Sequence, residues 1–393
     1  MSIPTLGQLL SAGVRGERVF VRADLNVPFE AGAISDDSRI RASLPTLRRL
    51  LEGGARVVVA SHLGRPKGKP SPALSLRPLA PRLADLLGTG VAFCEDCIGE
   101  RAAAAVAELG PGQVLLLENL RFHPGEEKND PDFAAALAAL ADVYVNDAFG
   151  TAHRAHASTV GMVSKMARAA AGDLLLSELE HLGVVREPQR PLLAIVGGAK
   201  ISSKLGVIEA LAQHADTTCI GGAMSYTFLA ARGEPVGASL VEADQLDAAR
   251  RVMRAAESRG RRLLLPSDHV IAQRIEPGAP TRVVDRIPDG WLGVDIGPAT
   301  AQAYAREAQA ARTVFWNGPM GVFEIDAFAR GTQTLAKAVA SSQAVSVVGG
   351  GDSLAAVHKL GVAGRITHLS TGGGASLEFV EGLTLPGVAA LER

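Results

Sequence analysis

The sequence predicts an α/β protein with two doubly wound, Rossmann-like domains, each built on a parallel sheet. Short β-branched or leucine-rich runs recur along the chain, and each is followed by a polar or glycine-rich loop and then by a helical pattern. Strands that alternate with helices in this way form parallel sheets covered on both faces. A chain of 393 residues is longer than one core usually serves, so its length predicts two or three domains.

The predicted strands fall into an N-terminal and a C-terminal group. Four runs fill the first part of the chain: RVFVRADLNVP, ARVVVASHLGRP, QVLLLENLRF and DVYVNDAFGTAHR. Six fill the second part: LLAIVGGAK, TTCIGGAM, RLLLPSDHV, TVFWNGPMG, AVSVVGGGDS and ITHLSTGGGAS. Between strands, Ile40, Leu44, Leu47 and Leu51 recur at intervals of three and four residues, which predicts a helix with one buried face. The stretch GDLLLSELEHLGVVREPQRP predicts a helix with a proline-bounded connector, where we place the domain boundary.

Composition excludes several classes of protein. Apolar residues make up 47% of the chain and charged residues 21%, which is typical of a globular protein. A net charge of −1 argues against a nucleic-acid or membrane-surface partner. No export signal or spanning segment is recognised, and three cysteines do not make a disulfide framework. We therefore expect a cytoplasmic protein.

Arginines and histidines follow the N-terminal strands, at the sheet edge where ligands of open parallel sheets collect. The polar residues at these strand ends are Asp24, Asn26, His62, Arg65, Arg121, His153, Arg154 and His156. Guanidinium groups offer paired donors to the paired oxygens of carboxylates and phosphates. The first half of the chain is therefore predicted to bind a small, highly anionic ligand.

Glycines follow the C-terminal strands instead, at 197–198, 221–222, 349–351 and 372–374. Glycine lets backbone N–H groups approach an anion closely, and the next helix points its positive end at the same place. Lys200 and Lys204 follow the first pair without forming a phosphate loop, and at a helix start they would share one face. The second half is predicted to bind a polyphosphate, and two anion sites on separate domains suggest phosphoryl transfer between them.

Each of these features also has a plainer interpretation. Asp352 could cap a helix instead of holding Mg²⁺ beside phosphates, His62 could be a packed polar residue, and Glu324 a surface acid. The spacing Cys94-x-x-Cys97 could indicate a redox pair or half a zinc site. Without a second pair, we interpret these cysteines as incidental.

Longer motifs occur in a fixed order: VRADLNVP, DDSRIRASLPT, SHLGRP, LENLRFHPGEEKNDP, YVNDAFGTAHRAHAS, GGAKISSKLGVI, GGAMSYTFL, DIGPAT, WNGPMGVFE, GGGDSLAAV and STGGGASLEF. Together they closely resemble the phosphoglycerate kinase family, from about residue 3 to the end of the chain. The resemblance implies two domains joined by a helix near 173–186, with a cleft between them. The N-terminal phosphoglycerate domain would span 1–172 and the nucleotide domain 173–378, with 379–393 returning to the first.

The resemblance also implies the reaction. The acyl phosphate of 1,3-bisphosphoglycerate would pass reversibly and in line to MgADP, giving 3-phosphoglycerate and MgATP in glycolysis, after hinge closure of the domains. Mg²⁺ would be the cofactor, the partners would be these small molecules, and the enzyme is expected to act as a monomer.

Site residues follow from the matching positions. The glycerate substrate would be held by Asp24, Leu25, Asn26, Arg39, His62, Leu63, Gly64, Arg65, Arg121 and Arg154. The nucleotide would be held by Lys204, Gly221, Gly222, Gly293, Asn317, Glu324, Gly350, Gly351, Asp352 and Ser353, with Glu324 at the ribose and Asp352 at the metal. Arg39, Lys200, Gly372 and Gly373 would surround the phosphoryl group in transfer.

Two other classes of function compete with this interpretation. A nicotinamide-dependent dehydrogenase would also be α/β, but no G-x-G-x-x-G follows a predicted strand. A catalytically silent relative that serves as a scaffold would have lost a charged catalytic position. Arg39, Lys200, Lys204 and Asp352 are all present.

Overall fold

The computed structural model describes residues 3–392. The chain divides into two compact units, the first running up to Leu179 and including the C-terminal segment from Thr384, the second running from Glu180 to Leu383. Each unit contains a six-stranded parallel sheet, which confirms the predicted α/β class.

The sheet of the first unit has six strands, and β4 and β1 lie at its centre. Its strands are β1 Arg18–Ala23, β4 Arg56–Ala60, β5 Val91–Cys94, β6 Val114–Leu117, β7 Val143–Asp147 and β8 Ala169–Ala171, with a separate hairpin of β2 Phe29–Glu30 and β3 Ala33–Ile34. The order across the sheet is β5-β6-β4-β1-β7-β8. The strands are short and almost wholly apolar because helices cover both faces.

Helices of the first unit precede and follow these strands. They are α1 Leu6–Ser11, α2 Ser38–Glu52, α3 Leu79–Leu87, α4 Gly99–Glu108, α5 Pro124–Glu127, α6 Pro131–Ala138 and α7 Asp173–Arg186. In α2, Ile40, Leu44 and Leu47 are buried as the spacing predicts, while Leu50 is more deeply buried than Leu51. The division between the two units falls within α7.

The second unit contains a parallel sheet and a smaller antiparallel one. Its strands are β9 Leu192–Val196, β10 Thr217–Ile220, β11 Arg262–Leu264, β12 His269–Ala272, β13 Arg282–Val284, β14 Leu292–Ile296, β15 Thr313–Asn317, β16 Val345–Gly349 and β17 His368–Ser370. The parallel order is β11-β10-β9-β15-β16-β17, and β13-β12-β14 form the antiparallel sheet. The predicted run RLLLPSDHV is therefore divided between two sheets, because β11 ends before Pro266 and β12 starts at His269.

The remaining helices are α8 Leu205–His214, α9 Met224–Ala231, α10 Leu246–Ser258, α11 Pro298–Ala310, α12 Arg330–Ser341, α13 Gly351–Lys359, α14 Gly374–Val380 and α15 Pro386–Ala389. The last belongs to the first unit, where the Gly387 amide donates to the Ala152 carbonyl at 2.8 Å and Asn146 Nδ2 donates to the Gly387 carbonyl at 3.2 Å. Within residues 3–392, none of the helices combines the length and apolar character that crossing a bilayer requires.

Candidate functional site

In the first unit, four adjacent strands bring the predicted anion-binding residues to one sheet edge. Because β6, β4, β1 and β7 are parallel neighbours, their carboxyl ends lie side by side. The residues that follow these ends are Asp24, Leu25 and Asn26 after β1, His62, Leu63, Gly64 and Arg65 after β4, Arg121 after β6, and Arg154 after β7. The sheet topology thus gathers residues that are up to 130 positions apart in sequence, counting from Asp24 to Arg154.

Asp24 and Arg39 form a close ion pair at this edge. Asp24 is almost fully buried, whereas the Arg39 side chain, from the first turn of α2, is partly exposed. A Cβ atom at Gly150 would overlap the Asp24 carboxylate. The sequence analysis did not identify Gly150, although its place in the motif DAFGTAHR was visible.

The loop after β4 is held by its neighbours on both sides. The Gly64 amide donates to Asn26 Oδ1 at 2.8 Å, and Arg121 Nη1 donates to the Gly64 carbonyl at 3.0 Å. Leu63 is buried below this loop and Arg65 is exposed. Burial and the positive charge of Arg22 lower the pKa of Arg121 to about 10, which leaves its guanidinium charged at neutral pH.

His62 is held as a neutral imidazole with a defined tautomer. Arg22 Nη2 lies 3.3 Å from His62 Nδ1, and because a guanidinium can only donate, Nδ1 must be the acceptor. The ring proton is then on Nε2, which makes Nε2 a donor. Burial lowers the pKa of His62 well below its usual value, and the guanidinium of Arg22 adds to the effect.

His62 contacts a buried network through Arg22, and this network was not predicted from the sequence. Arg22 is fully buried, its Nε donates to Ser158 Oγ at 2.8 Å, and Ser158 Oγ donates to Glu126 Oε1 at 2.6 Å. Glu126 is also fully buried and lies 3.9 Å from Arg22. The available signal was Arg22, a second arginine in the strand RVFVRA that directly follows the apolar residues 19–21.

We expect both His62 and His156 to remain neutral as the pH falls through about 6.5, the usual pKa of a histidine side chain. Burial lowers the pKa of His156 to about 3, so its 3.8 Å approach to Glu126 is not an ion pair at neutral pH. Because the unfolded chain takes up these protons first, the stability that both histidines contribute is lost as pH falls below about 6.5. Nitrogen-15 NMR of the imidazoles tests this, and protonation of His62 near pH 6.5 would contradict it.

In the second unit, the glycine-rich loops also meet at one sheet edge. The strands β10, β9, β15, β16 and β17 are parallel neighbours. The residues that follow or end them are Gly197 and Gly198, Gly221 and Gly222, Asn317, Gly350, Gly351, Asp352 and Ser353, and Gly372 and Gly373. This edge carries two helix N-termini, those of α13 and α14, directly after glycines.

Part of the predicted nucleotide set lines one cavity of about 440 Å³ in this unit. Gly222, Gly293, Glu324 and Asp352 all contribute to its wall. Among the described residues, the other predicted ones do not line this cavity; Ser353 is buried, and its Oγ accepts from the Gly318 amide at 2.6 Å. The exposed carboxylate of Asp352 lies in the first turn of α13, after Gly350 with its positive φ of 91°.

The two lysines are placed differently from the prediction. We expected both at a helix start on one face, but α8 begins only at Leu205, so Lys200 lies in the preceding loop and Lys204 in the turn. Lys204 Nζ donates to the Gly197 carbonyl at 2.8 Å. Burial lowers the pKa of Lys204 to about 8, although the negative charge of Asp352 acts in the opposite direction. Lys200 is exposed.

The loop after β17 leaves open space for a ligand. Gly373 has φ of 55°, a conformation that favours glycine, and a Cβ atom there would meet nothing within 4 Å. It immediately precedes α14, whose N-terminal amides face away from the helix body. The arrangement suits the oxygens of an anion.

Replacing Gly293 by alanine is expected to raise KM for the nucleotide and to lower the unfolding free energy by about 1–3 kcal/mol, the usual cost of overpacking. An added Cβ would overlap the hydroxyl end of the buried Tyr226, and both residues line the cavity. Steady-state kinetics and urea unfolding measure the two effects. Gly364→Ala, in open space in the same unit, is the control. An unchanged KM would contradict the cavity's proposed role.

Comparison with known proteins identifies the family of this chain. The family model described as phosphoglycerate kinase matches residues 9–383. Phosphoglycerate kinases of Rubrobacter xylanophilus and Moorella thermoacetica are 59% and 58% identical over 381 residues, which is 96% of this chain and 96% and 97% of theirs. The structure of phosphoglycerate kinase from Coxiella burnetii matches with a TM-score of 0.89 and 41% identity over 99% of both chains. The chain therefore belongs to the phosphoglycerate kinase family.

Proposed function

We propose that the protein transfers the acyl phosphate in line and directly, with the glycerate half bound by the first unit and the nucleotide by the second. As a family member, it catalyses reversible phosphoryl transfer between 1,3-bisphosphoglycerate and ADP in glycolysis. One observation supports assigning the two substrates to different units: guanidinium groups lie at the sheet edge of the first unit, and glycine-rich loops lie at the sheet edge of the second.

We assign a cationic patch to bind two groups of the glycerate substrate, its carboxylate and the phosphate that is not transferred. The patch consists of Arg39, His62, Arg65, Arg121 and Arg154. Asp24 and Asn26 are assigned to the substrate's hydroxyl and carboxylate region. The arginines supply charge, and neutral His62 supplies a directed Nε2–H donor. The pair between Arg39 and Asp24 supports this assignment because it orients the guanidinium before substrate arrives.

For the nucleotide, we assign the cavity that contains Gly222, Gly293, Glu324 and Asp352. Mg²⁺ is commonly bound by one or two carboxylates together with substrate phosphates and water. The exposed Asp352 carboxylate fits this pattern, since it lies at a phosphate-suited helix N-terminus with Lys204 nearby. A bound Mg²⁺ would neutralise phosphate charge there. Glu324, also exposed, is assigned to the ribose.

For the group in transfer, we assign Arg39, Lys200 and the backbone amides around Gly372 and Gly373. Phosphoryl transfer needs alignment and charge stabilisation on the equatorial oxygens, and it needs no protein nucleophile. Because we assign the two ligands to different units, direct transfer requires a closing motion that brings the ligands together. Such closure would also exclude water from the reacting groups. We expect the enzyme to work as a monomer in the cytoplasm.

A coupled assay tests this function. Purified protein should phosphorylate 3-phosphoglycerate with ATP in the presence of Mg²⁺ and lose the activity when Mg²⁺ is removed. Folded protein without activity under these conditions would favour the scaffold interpretation. Small-angle scattering should show compaction only when both ligands are present, and no change would count against closure.

A further inference from the structure

We propose that Asp96, Cys97 and His123 form a binding site for a thiophilic divalent metal ion of the Zn²⁺ type. One carboxylate oxygen, the thiol sulfur and one imidazole nitrogen all lie within 4.8 Å of one another. These residues belong to the first unit, whereas Asp352 belongs to the second. The inference is therefore separate from the metal that accompanies the nucleotide.

The topology of the sheet brings the three residues together. Asp96 and Cys97 lie in the loop between β5 and α4, and His123 follows the turn that comes after β6. Since β5 and β6 are paired neighbours with Cys94 opposite Leu117, the loops that follow them are adjacent. The spacing Cys94-x-x-Cys97 alone did not reveal the site, because the other two members are the intervening Asp96 and His123, which follows the neighbouring strand β6.

Local contacts hold the donor groups in place. His123 Nε2 donates to Asp96 Oδ1 at 2.7 Å, and the imidazole ring packs at 5.3 Å between centroids against Phe133. The Cys97 amide donates to the same Asp96 oxygen at 2.7 Å. The Asp96 and His123 side chains are thus held together before any ion arrives, and the Cys97 backbone is tied to the same carboxylate, which already accepts these hydrogen bonds.

The donor set selects the class of metal. Thiolate, imidazole and carboxylate are the ligands of Zn²⁺, and three of them plus water make an open site. Mg²⁺ and Ca²⁺ prefer oxygen ligands throughout, so they suit this site poorly. Metal–ligand bonds of about 2.0–2.3 Å place tetrahedral ligands about 3.3–3.8 Å apart, so only small side-chain adjustments are needed.

An adjoining cavity gives the ion a route of entry. Its volume is about 550 Å³, and Asp96 and His123 line it, while Cys97 is buried behind them. The carboxylates of Glu95 and Glu118 also line the cavity, against the single guanidinium of Arg77, which pairs with Glu95. The excess of negative charge favours a cation, and water or a small ligand in the cavity could complete its coordination.

Cobalt titration of the full chain tests the site, because a cobalt–thiolate bond has its own near-ultraviolet charge-transfer absorption. We expect this band to saturate at one Co²⁺ per chain, to be displaced by Zn²⁺, and to persist with excess Mg²⁺. The band should be lost in Cys97→Ser and kept in Cys94→Ser, the matched control, which replaces the buried cysteine at the end of β5.

A second variant keeps the test independent of the buried cysteine. His123 is partly exposed, so His123→Gln should remain folded by circular dichroism and still lose saturable Co²⁺ binding. Absence of the band in the parent protein would overturn the proposal. Its persistence in Cys97→Ser or its loss in Cys94→Ser would do the same, since either result would exclude the three-residue set.

Discussion

Lys200→Ala is expected to lower kcat roughly 10²–10³-fold while leaving KM for both substrates nearly unchanged. Lys200 is exposed in a loop beside the glycines that follow β9, so its ammonium is available to a ligand. Contacts that form only as charge spreads over the transferring group affect turnover and not ground-state binding. Steady-state kinetics in the forward and reverse directions measure both parameters.

The control for this variant is Lys337→Ala, which removes an exposed lysine from α12 in the same unit. It should retain full activity. Because Lys200 is exposed, its replacement should change the unfolding free energy by no more than about 0.5 kcal/mol. A raised KM with an unchanged kcat would show that Lys200 serves ground-state binding only.

Arg39→Ala is expected to reduce kcat by a similar factor, again with a much smaller change in KM. Arg39 is the residue we assign both to the glycerate patch and to the phosphoryl group. Unlike Lys200, it has a protein partner, so its loss leaves the nearly buried Asp24 carboxylate without its ion pair. We therefore also expect a measurable loss of stability in urea unfolding.

Arg41→Ala provides a matched comparison from the same turn of α2. Arg41 is exposed and pairs with Asp37 at 2.8 Å, away from Asp24. This variant should keep its kcat. Arg39→Lys should recover part of the stability, because it restores a positive charge, but little of the turnover, because an ammonium lacks the planar fork. Full turnover in Arg39→Lys would contradict the assigned geometry.

The parts of the site that the sequence predicted are those that follow directly from parallel strands. Once the strands were recognised, Asp24, His62 and Arg121 had to lie at one edge, since each follows the carboxyl end of a neighbouring strand. The same reasoning places the glycine pairs of the second unit. Periodicity and position along a strand are local properties, which a single sequence reveals.

What sequence reasoning missed depends on contacts between distant segments. The network of Arg22, Ser158 and Glu126 joins three separate elements, and nothing in the spacing shows that the arginine turns inward. The start of α8 was also misjudged, because a turn precedes the helix and the Lys204 ammonium donates to the Gly197 carbonyl after β9. The antiparallel strands β12–β14 were missed because their pairing is set by tertiary packing.

The hydrogen bonds that Gly387 forms with Asn146 in β7 and with Ala152 in the following loop have a consequence for biosynthesis. The ribosome makes the residues up to Leu179 long before it makes the segment from Thr384, which belongs to the same unit. During translation Asn146 and Ala152 therefore lack these partners until Gly387 has been made. Nascent chains stalled just before this point should be more sensitive to proteolysis than the released protein.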